Sequence, residues 1–174
     1  MIDTDSAGES DPIEARVGDA LRSRGHTVAV AESLTGGLIG SRLTDVPGSS
    51  AYFDRAVVTY SNDAKLDALA VSRESLDAHG AVSAEVAREM ARGIRDTAGT
   101  TWGVSTTGIA GPTGGTTEKP VGLVFVGVAY AAPWGTEESF ARAERYVFDG
   151  DRADVKTASA TRALSDLLAA VESR

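Results

Sequence analysis

His26 to Gly37 reads HTVAVAESLTGG, and this stretch decides the fold. Val28 to Ala31 is a short apolar run containing β-branched residues, the pattern of a strand buried on both faces, and His26 to Ala31 is expected as that strand. It runs straight into Glu32-Ser33-Leu34-Thr35-Gly36-Gly37, where paired glycines let the backbone turn closely. A helix is expected next, from about Thr35 to Leu43. A buried strand feeding a helix through a tight turn is the opening of an α/β unit. Such a turn can leave free N–H groups at a helix N-terminus, able to hold a phosphate or a developing oxyanion. A capping Ser or Thr beside a tight turn describes the same residues, and spacing alone leaves both readings open. The segment has neither the G-x-S-x-G spacing of a hydrolase elbow nor the Gly-Lys-Ser/Thr of a Walker A loop.

Outward from this stretch, strands and helices alternate. Upstream, Asp11 is the expected N-cap, Pro12 the first helical residue and Glu14 the capping-box acid. Ile13, Val17 and Leu21 form an apolar stripe, and Gly25 ends the helix. Residues 1–10 read as a disordered arm. Downstream, Tyr52 to Tyr60 reads as a strand, and short helices are expected over Asn62–Leu69 and Arg73–His79. Ser83 opens a longer helix to about Ala98, with Val86, Met90 and Ile94 on one face. Strands follow at Trp102–Thr106, Gly122–Ala131 and Glu138–Phe148, and a last helix spans Asp151–Glu172. The two adjacent late strands call for an antiparallel part. The expected architecture is one domain, residues 11–174, built as a three-layer α/β/α sandwich on a mixed sheet.

Composition narrows the chemistry. The chain of 174 residues has no cysteine and only two histidines, His26 and His79. That excludes thiolate metal sites and cysteine nucleophiles, and no metal site is expected. His79 reads as a helix-end residue and His26 as the start of a strand. The formal net charge is -8, so nucleic acid is not an expected partner. Only three of the 17 basic residues are lysines, Lys65, Lys119 and Lys156. An acidic, lysine-poor surface points to a halophilic, high-salt cytoplasm. No apolar run reaches the ~18 residues of a membrane span and the N-terminus lacks a secretory pattern. A cytoplasmic protein with no membrane partner is expected. Base rates favour a homo-oligomer.

Three further segments carry chemistry. Thr59-Tyr60-Ser61-Asn62-Asp63-Ala64-Lys65 lies at a strand-to-helix junction, where Tyr60 and Lys65 could share a cleft. Lys65 is either an exposed helix lysine or, if desolvated, a base. Thr106 to Gly115 (TTGIAGPTGG), continuing to Lys119-Pro120-Val121-Gly122, is a long glycine-rich loop of the kind that approaches ligands closely. In Gly150-Asp151-Arg152, Asp151 caps the last helix. Arg152 sits at the end of the helix dipole that disfavours it, so it either holds an anion or is simply solvated.

Taken in order, AESLTGG (31–37), VTYSNDAK (58–65), HGAVS (79–83), TGIAGPTGG (107–115), KPVG (119–122) and GDR (150–152) make the chain resemble the CinA C-terminal domain family, from about Pro12 to the last helix. Family members commonly carry cysteine after the serine; here it is Leu34. The resemblance implies a nicotinamide-nucleotide amidase, converting nicotinamide mononucleotide and water to nicotinate mononucleotide and ammonia without metal or cofactor. It implies Ser33 as nucleophile, Lys65 as general base and Tyr60 as an orienting or proton-relaying group. Thr107 and Arg152 would contact the nucleotide substrate. Glu32, Thr35, Gly36, Gly37, Asn62 and Gly108 complete the expected substrate contacts, with Gly36 and Gly37 as a possible oxyanion or phosphate cradle. Fused family members carry an additional N-terminal nucleotide-hydrolase domain, whose activity is expected to be absent here. A non-catalytic nucleotide-binding or regulatory module, and an amidase of another nucleotide amide, are the alternatives.

Overall fold

The computed structural model describes residues 11–174; the arm expected over residues 1–10 lies outside them. The elements run α1 (Ile13–Arg24), β1 (Val28–Glu32), α2 (Leu38–Thr44), a 3-10 turn (Ser49–Ala51), β2 (Phe53–Val58), α3 (Asn62–Leu69), α4 (Arg73–His79), α5 (Ala84–Ala98), β3 (Trp102–Gly108), β4 (Leu123–Tyr130), β5 (Phe140–Val147) and α6 (Arg152–Glu172). The five strands form one sheet in the order β2-β1-β3-β4-β5. β1 pairs in parallel with β2 and β3, whereas β3–β4 and β4–β5 are antiparallel. The fold is therefore the expected mixed-sheet α/β sandwich. No helix among the described residues is long and apolar enough to cross a membrane.

Each sheet face carries its own core. On one side α6, α1 and α2 bury Val155, Leu164, Leu167, Val17, Leu21 and Ile39 against Val30, Val104 and Val126. On the other, α5 lays Val86, Met90 and Ile94 over Ala29 and Ala31, with Leu69 and Leu76 from α3 and α4 beside them. Fully burying a side chain of this kind contributes about 1.5–3 kcal/mol of transfer free energy. The α5 backbone comes unusually close to the sheet. A Cβ on Gly103 would stand 2.0 Å from the Ala91 carbonyl oxygen, and one on Gly127 would stand 2.4 Å from that of Ala87. Ser105 Oγ donates to the same Ala87 oxygen at 2.6 Å.

Two helix starts differ from expectation. α1 begins at Ile13 after Pro12, with no side-chain cap, so Asp11 does not take the N-cap position. α2 begins at Leu38 rather than Thr35, because Gly36 (φ 60°) and Gly37 (φ 101°) adopt left-handed backbone that interrupts a right-handed helix. In contrast, Ser61, Ser72, Ser83 and Asp151 all cap the helices they precede.

The register gathers the strand ends. Glu32 lies opposite Val58 on β2 and Thr106 on β3, so β1 and β2 finish together while β3 runs on to Gly108 beside them. Ligands of open α/β sheets gather outside such carboxyl ends.

Candidate active site

Ser33 is the first residue beyond β1. Its N–H donates to the Thr106 oxygen at 3.1 Å, while the Thr59 N–H donates to the Glu32 oxygen at 2.9 Å. These two bonds fasten the ends of β1, β2 and β3 to one another. Past β2, the Ser61 hydroxyl accepts from the Ala64 N–H and starts α3, which places Lys65 one turn in, facing back to the strand ends. Lys65 Nζ stands 3.2 Å from Ser33 Oγ, 2.7 Å from the Thr59 oxygen and 3.3 Å from the Tyr60 oxygen.

Lys65 is only 1 % exposed, and burial pushes its ammonium below the ordinary lysine range. No charge pairing is among the causes, so desolvation acts uncompensated on the cationic form. The two carbonyls match the two N–H bonds of a neutral amine. Nζ donates to the Ser33 hydroxyl as well as to the two carbonyls; loss of one proton would leave its lone pair facing Ser33 Oγ. This is the arrangement of a nucleophile with its base.

Glu32 does something other than expected. It is fully buried, and its carboxylate accepts from the N–H groups of Gly37 (2.9 Å), Ile39 (3.2 Å) and Gly40 (2.9 Å). The expected cradle is therefore occupied from within: Glu32 caps α2, and the Gly37 N–H is already used. The Gly36 N–H likewise donates to the Ser33 oxygen at 3.2 Å. Thr35 is buried and its hydroxyl bonds that of Thr106 at 2.8 Å, so it ties β3 to the turn. Asn62, the exposed first residue of α3, is absent from the cavity lining. By contrast, the Leu34 and Thr35 N–H groups make no intramolecular hydrogen bond with described residues.

A cavity of about 180 Å³ opens over the pair. Ser33, Lys65, Tyr60, Thr107, Gly108 and Arg152 all line it. The Thr107 hydroxyl donates to the Ala81 oxygen at 2.7 Å, which holds the 81–82 turn at the rim. Tyr60 is 66 % exposed, and its phenol oxygen accepts from Arg152 at 3.3 Å rather than bonding Ser33 or Lys65. Its main-chain oxygen, not its ring, reaches the lysine. Arg152 also donates to the Gly111 oxygen at 2.7 Å, pinning the glycine-rich loop. A hollow of about 400 Å³ adjoins the cavity and shares Ala110 and Arg152 with it.

Sequence reasoning missed Thr59, Leu34, Ala81, Val82 and Ala110 as parts of the site. The string HGAVS carried the signal for Ala81 and Val82 but reads locally as a helix stop. Two larger hollows, one along α5 and β5 and one around Trp134, are lined by neither Ser33 nor Lys65.

Residues 10–171 match the CinA C-terminal domain. The chain belongs to the CinA C-terminal domain family. This CinA domain is 55 % identical over 141 residues to a CinA-like protein of Chloroherpeton thalassium, covering 81 % of the chain and 33 % of that protein. It is 56 % identical over 137 residues to one of Salinibacter ruber, covering 79 % and 32 %. The chain thus spans about a third of the length of these curated relatives. Among solved structures, a CinA superfamily protein from Klebsiella pneumoniae superposes with a TM-score of 0.84 at 32 % identity, covering 93 % of this chain and 97 % of that one. The competence/damage inducible protein CihA from Agrobacterium tumefaciens gives 0.81 at 36 % identity, covering 94 % and 98 %.

Proposed function

We propose that this CinA domain is a serine–lysine amidohydrolase that converts nicotinamide mononucleotide and water to nicotinate mononucleotide and ammonia. The observation that carries the reading is the contact between Lys65 Nζ and Ser33 Oγ, 3.2 Å apart, with the lysine buried and its pKa lowered. A buried lysine without a carboxylate partner is a costly feature in a fold that uses arginine almost everywhere else, and such cost collects at functional sites.

In the reaction, neutral Lys65 takes the Ser33 proton as Oγ attacks the carboxamide carbon. The Leu34 and Thr35 N–H groups are the donors we assign to the developing oxyanion; each such donor is typically worth about 10²–10³ in rate. The tetrahedral intermediate collapses, Lys65 returns the proton to the departing nitrogen, and ammonia leaves an ester on Ser33. Water then attacks that ester with Lys65 again as base, and releases the carboxylate product. The cavity suits the carboxamide and pyridine ring. The adjoining hollow takes the ribose phosphate, with Arg152 between the two as the cationic contact. The first amides of α6 are already bonded by Asp151, so the arginine rather than the helix end faces the phosphate.

The test is ammonia release from nicotinamide mononucleotide by the purified protein, with Ser33→Ala and Lys65→Ala alongside. Release by the wild type and near-complete loss in both variants are expected. A fully active Ser33→Ala ends the mechanism. A folded wild type that releases ammonia only from another nucleotide amide moves the substrate while keeping the chemistry.

A further inference from the structure

β5 is an edge strand, and its sequence, FARAERYV over residues 140–147, is complementary to itself when turned end for end. The direction of its free backbone groups follows from its neighbours. The Phe148 N–H donates to the Gly122 oxygen at 2.9 Å, and the Ile109 N–H takes the Leu123 oxygen on the opposite side of β4. Even-numbered residues of β5 therefore aim their main-chain groups at β4, and Ala141, Ala143, Arg145 and Val147 aim theirs outward. Among the described residues no strand pairs with that outer edge. An uncovered eight-residue edge is a template for another chain.

We propose that this edge pairs antiparallel with β5 of a second copy, with the two-fold axis at Ala143, to make a continuous ten-stranded sheet. The outward groups allow an axis at residue 142, 143 or 144, and charge selects among them. An axis at Glu144 sets glutamate against glutamate, and one at Arg142 sets arginine against arginine. Only the axis at Ala143 places Arg142 opposite the partner's Glu144, twice, and Phe140 opposite the partner's Tyr146, twice. Opposite-charge and aromatic cross-strand pairs stabilise a ladder while like charges directly opposite destabilise it.

Arg142 and Glu144 are exposed and form no ion pair with any described residue; Arg142 lies over the Phe140 ring at 5.4 Å on the face it shares with Glu144, and pairing would exchange that contact for the partner's carboxylate. On the other face the pairing brings Ala143 against Ala143, side chains small enough to let the strands meet. The partner's Arg145 falls opposite Ala141, above a groove where Glu85 and Glu89 accompany Arg88, Arg92 and Arg95. Its guanidinium has carboxylates within that groove to meet, as well as like charges. The Ser33–Lys65 cavity lies at the ends of β1 to β3, so the pairing leaves it open.

The absence of cysteine makes the register directly readable. A hydrogen-bonded antiparallel pair holds its Cα atoms about 5.5 Å apart, inside the disulfide range. Ala143→Cys should therefore oxidise to a linked dimer, whereas Val147→Cys, which faces residue 139 of the partner, should not. In sedimentation equilibrium at about 0.15 M salt, where exposed charges act over about 8 Å, the wild type should be dimeric. Glu144→Arg should weaken it by at least about tenfold, and the double exchange Arg142→Glu, Glu144→Arg should restore it. A monomeric wild type, an oligomer indifferent to Glu144→Arg, or an Ala143→Cys protein that stays unlinked would each overturn the proposal. The cysteine result decides alone if Glu144→Arg fails to fold.

Discussion

Replacing Glu32 by glutamine separates a structural carboxylate from a substrate contact. The carboxylate meets three main-chain donors, two on one oxygen and one on the other. Glutamine keeps the shape, but its NH₂ must take the place of one oxygen, and there a donor confronts a donor. A hydrogen bond to a charged group is worth about 1.5–3 kcal/mol, and a buried donor left unsatisfied costs about 1–3 kcal/mol. The expected loss is about 3 kcal/mol. At about 2–4 °C per kcal/mol for a domain of this length, the melting temperature should fall by about 6–12 °C. Thermal unfolding followed by circular dichroism measures this, and ammonia release at a temperature where the variant is folded measures the rest. The turn that carries Ser33 hangs from Glu32, so kcat should drop more than KM rises. A melting temperature within about 2 °C of the wild type, with a raised KM, would refute this assignment and return Glu32 to the substrate.

Lys65→Met should abolish turnover without lowering stability at neutral pH, since it removes a group whose charged form burial disfavours. Between its lowered folded pKa and the ordinary 10.5, the unfolded chain binds more protons at Lys65 than the folded one. Wild-type stability should therefore rise with pH through that window, by about 1.4 kcal/mol per unit of lowering, and urea titrations should show this slope vanish in the variant. The rate should climb with pH along a limb set by the same group and lying below 10.5; a limb unchanged when the lysine environment is altered would contradict it. Arg152→Ala should raise KM and, with the bond to the Gly111 oxygen lost, cost about 0.5–1.5 kcal/mol of stability, and an unchanged KM would remove it from the nucleotide. Gly127→Ala should cost about 1–3 kcal/mol by forcing α5 off the sheet, as its Cβ would meet Ala87 and Ser105 oxygens, both at 2.4 Å; calorimetry reads this, and a neutral result would mean the helix yields freely. The acidic surface predicts a higher melting temperature in molar salt than in dilute buffer, and equal values would dismiss the halophilic reading.

The sheet and its helices were legible because their signals are local: alternating apolar periods, three serines and an aspartate at helix starts, and valine-rich strands. Ser33, Lys65, Thr107, Gly108 and Arg152 were also legible as a set, through the order of their motifs. The role of Glu32 was not. Its partners are amides five to eight residues on, created only when Gly36 and Gly37 turn left-handed, and a sequence shows a carboxylate beside glycines without showing which way it faces. Lys65 was ambiguous for a related reason. Its burial depends on β1, β2 and α3 meeting, whereas the local string around it is polar. Tyr60 shows the same limit at atomic scale, because its backbone rather than its ring reaches the lysine.

The mixed topology has a bearing on how the site comes into being. β3, β4 and β5 form a meander whose partners lie close in the chain, while β1 joins β3 across a separation of 74 residues, as the Thr27–Thr101 contact shows. Long loops close slowly and non-local pairing limits folding rates. The meander can collect early, and the strand that delivers Ser33 docks after it, flanked by β2 and α3 bearing Lys65. Ser33 and Lys65 are 32 residues apart and meet within the unit of β1, β2 and α3, so the long-range closure onto β3 adds the Thr107 wall of the cavity to a pair already in contact.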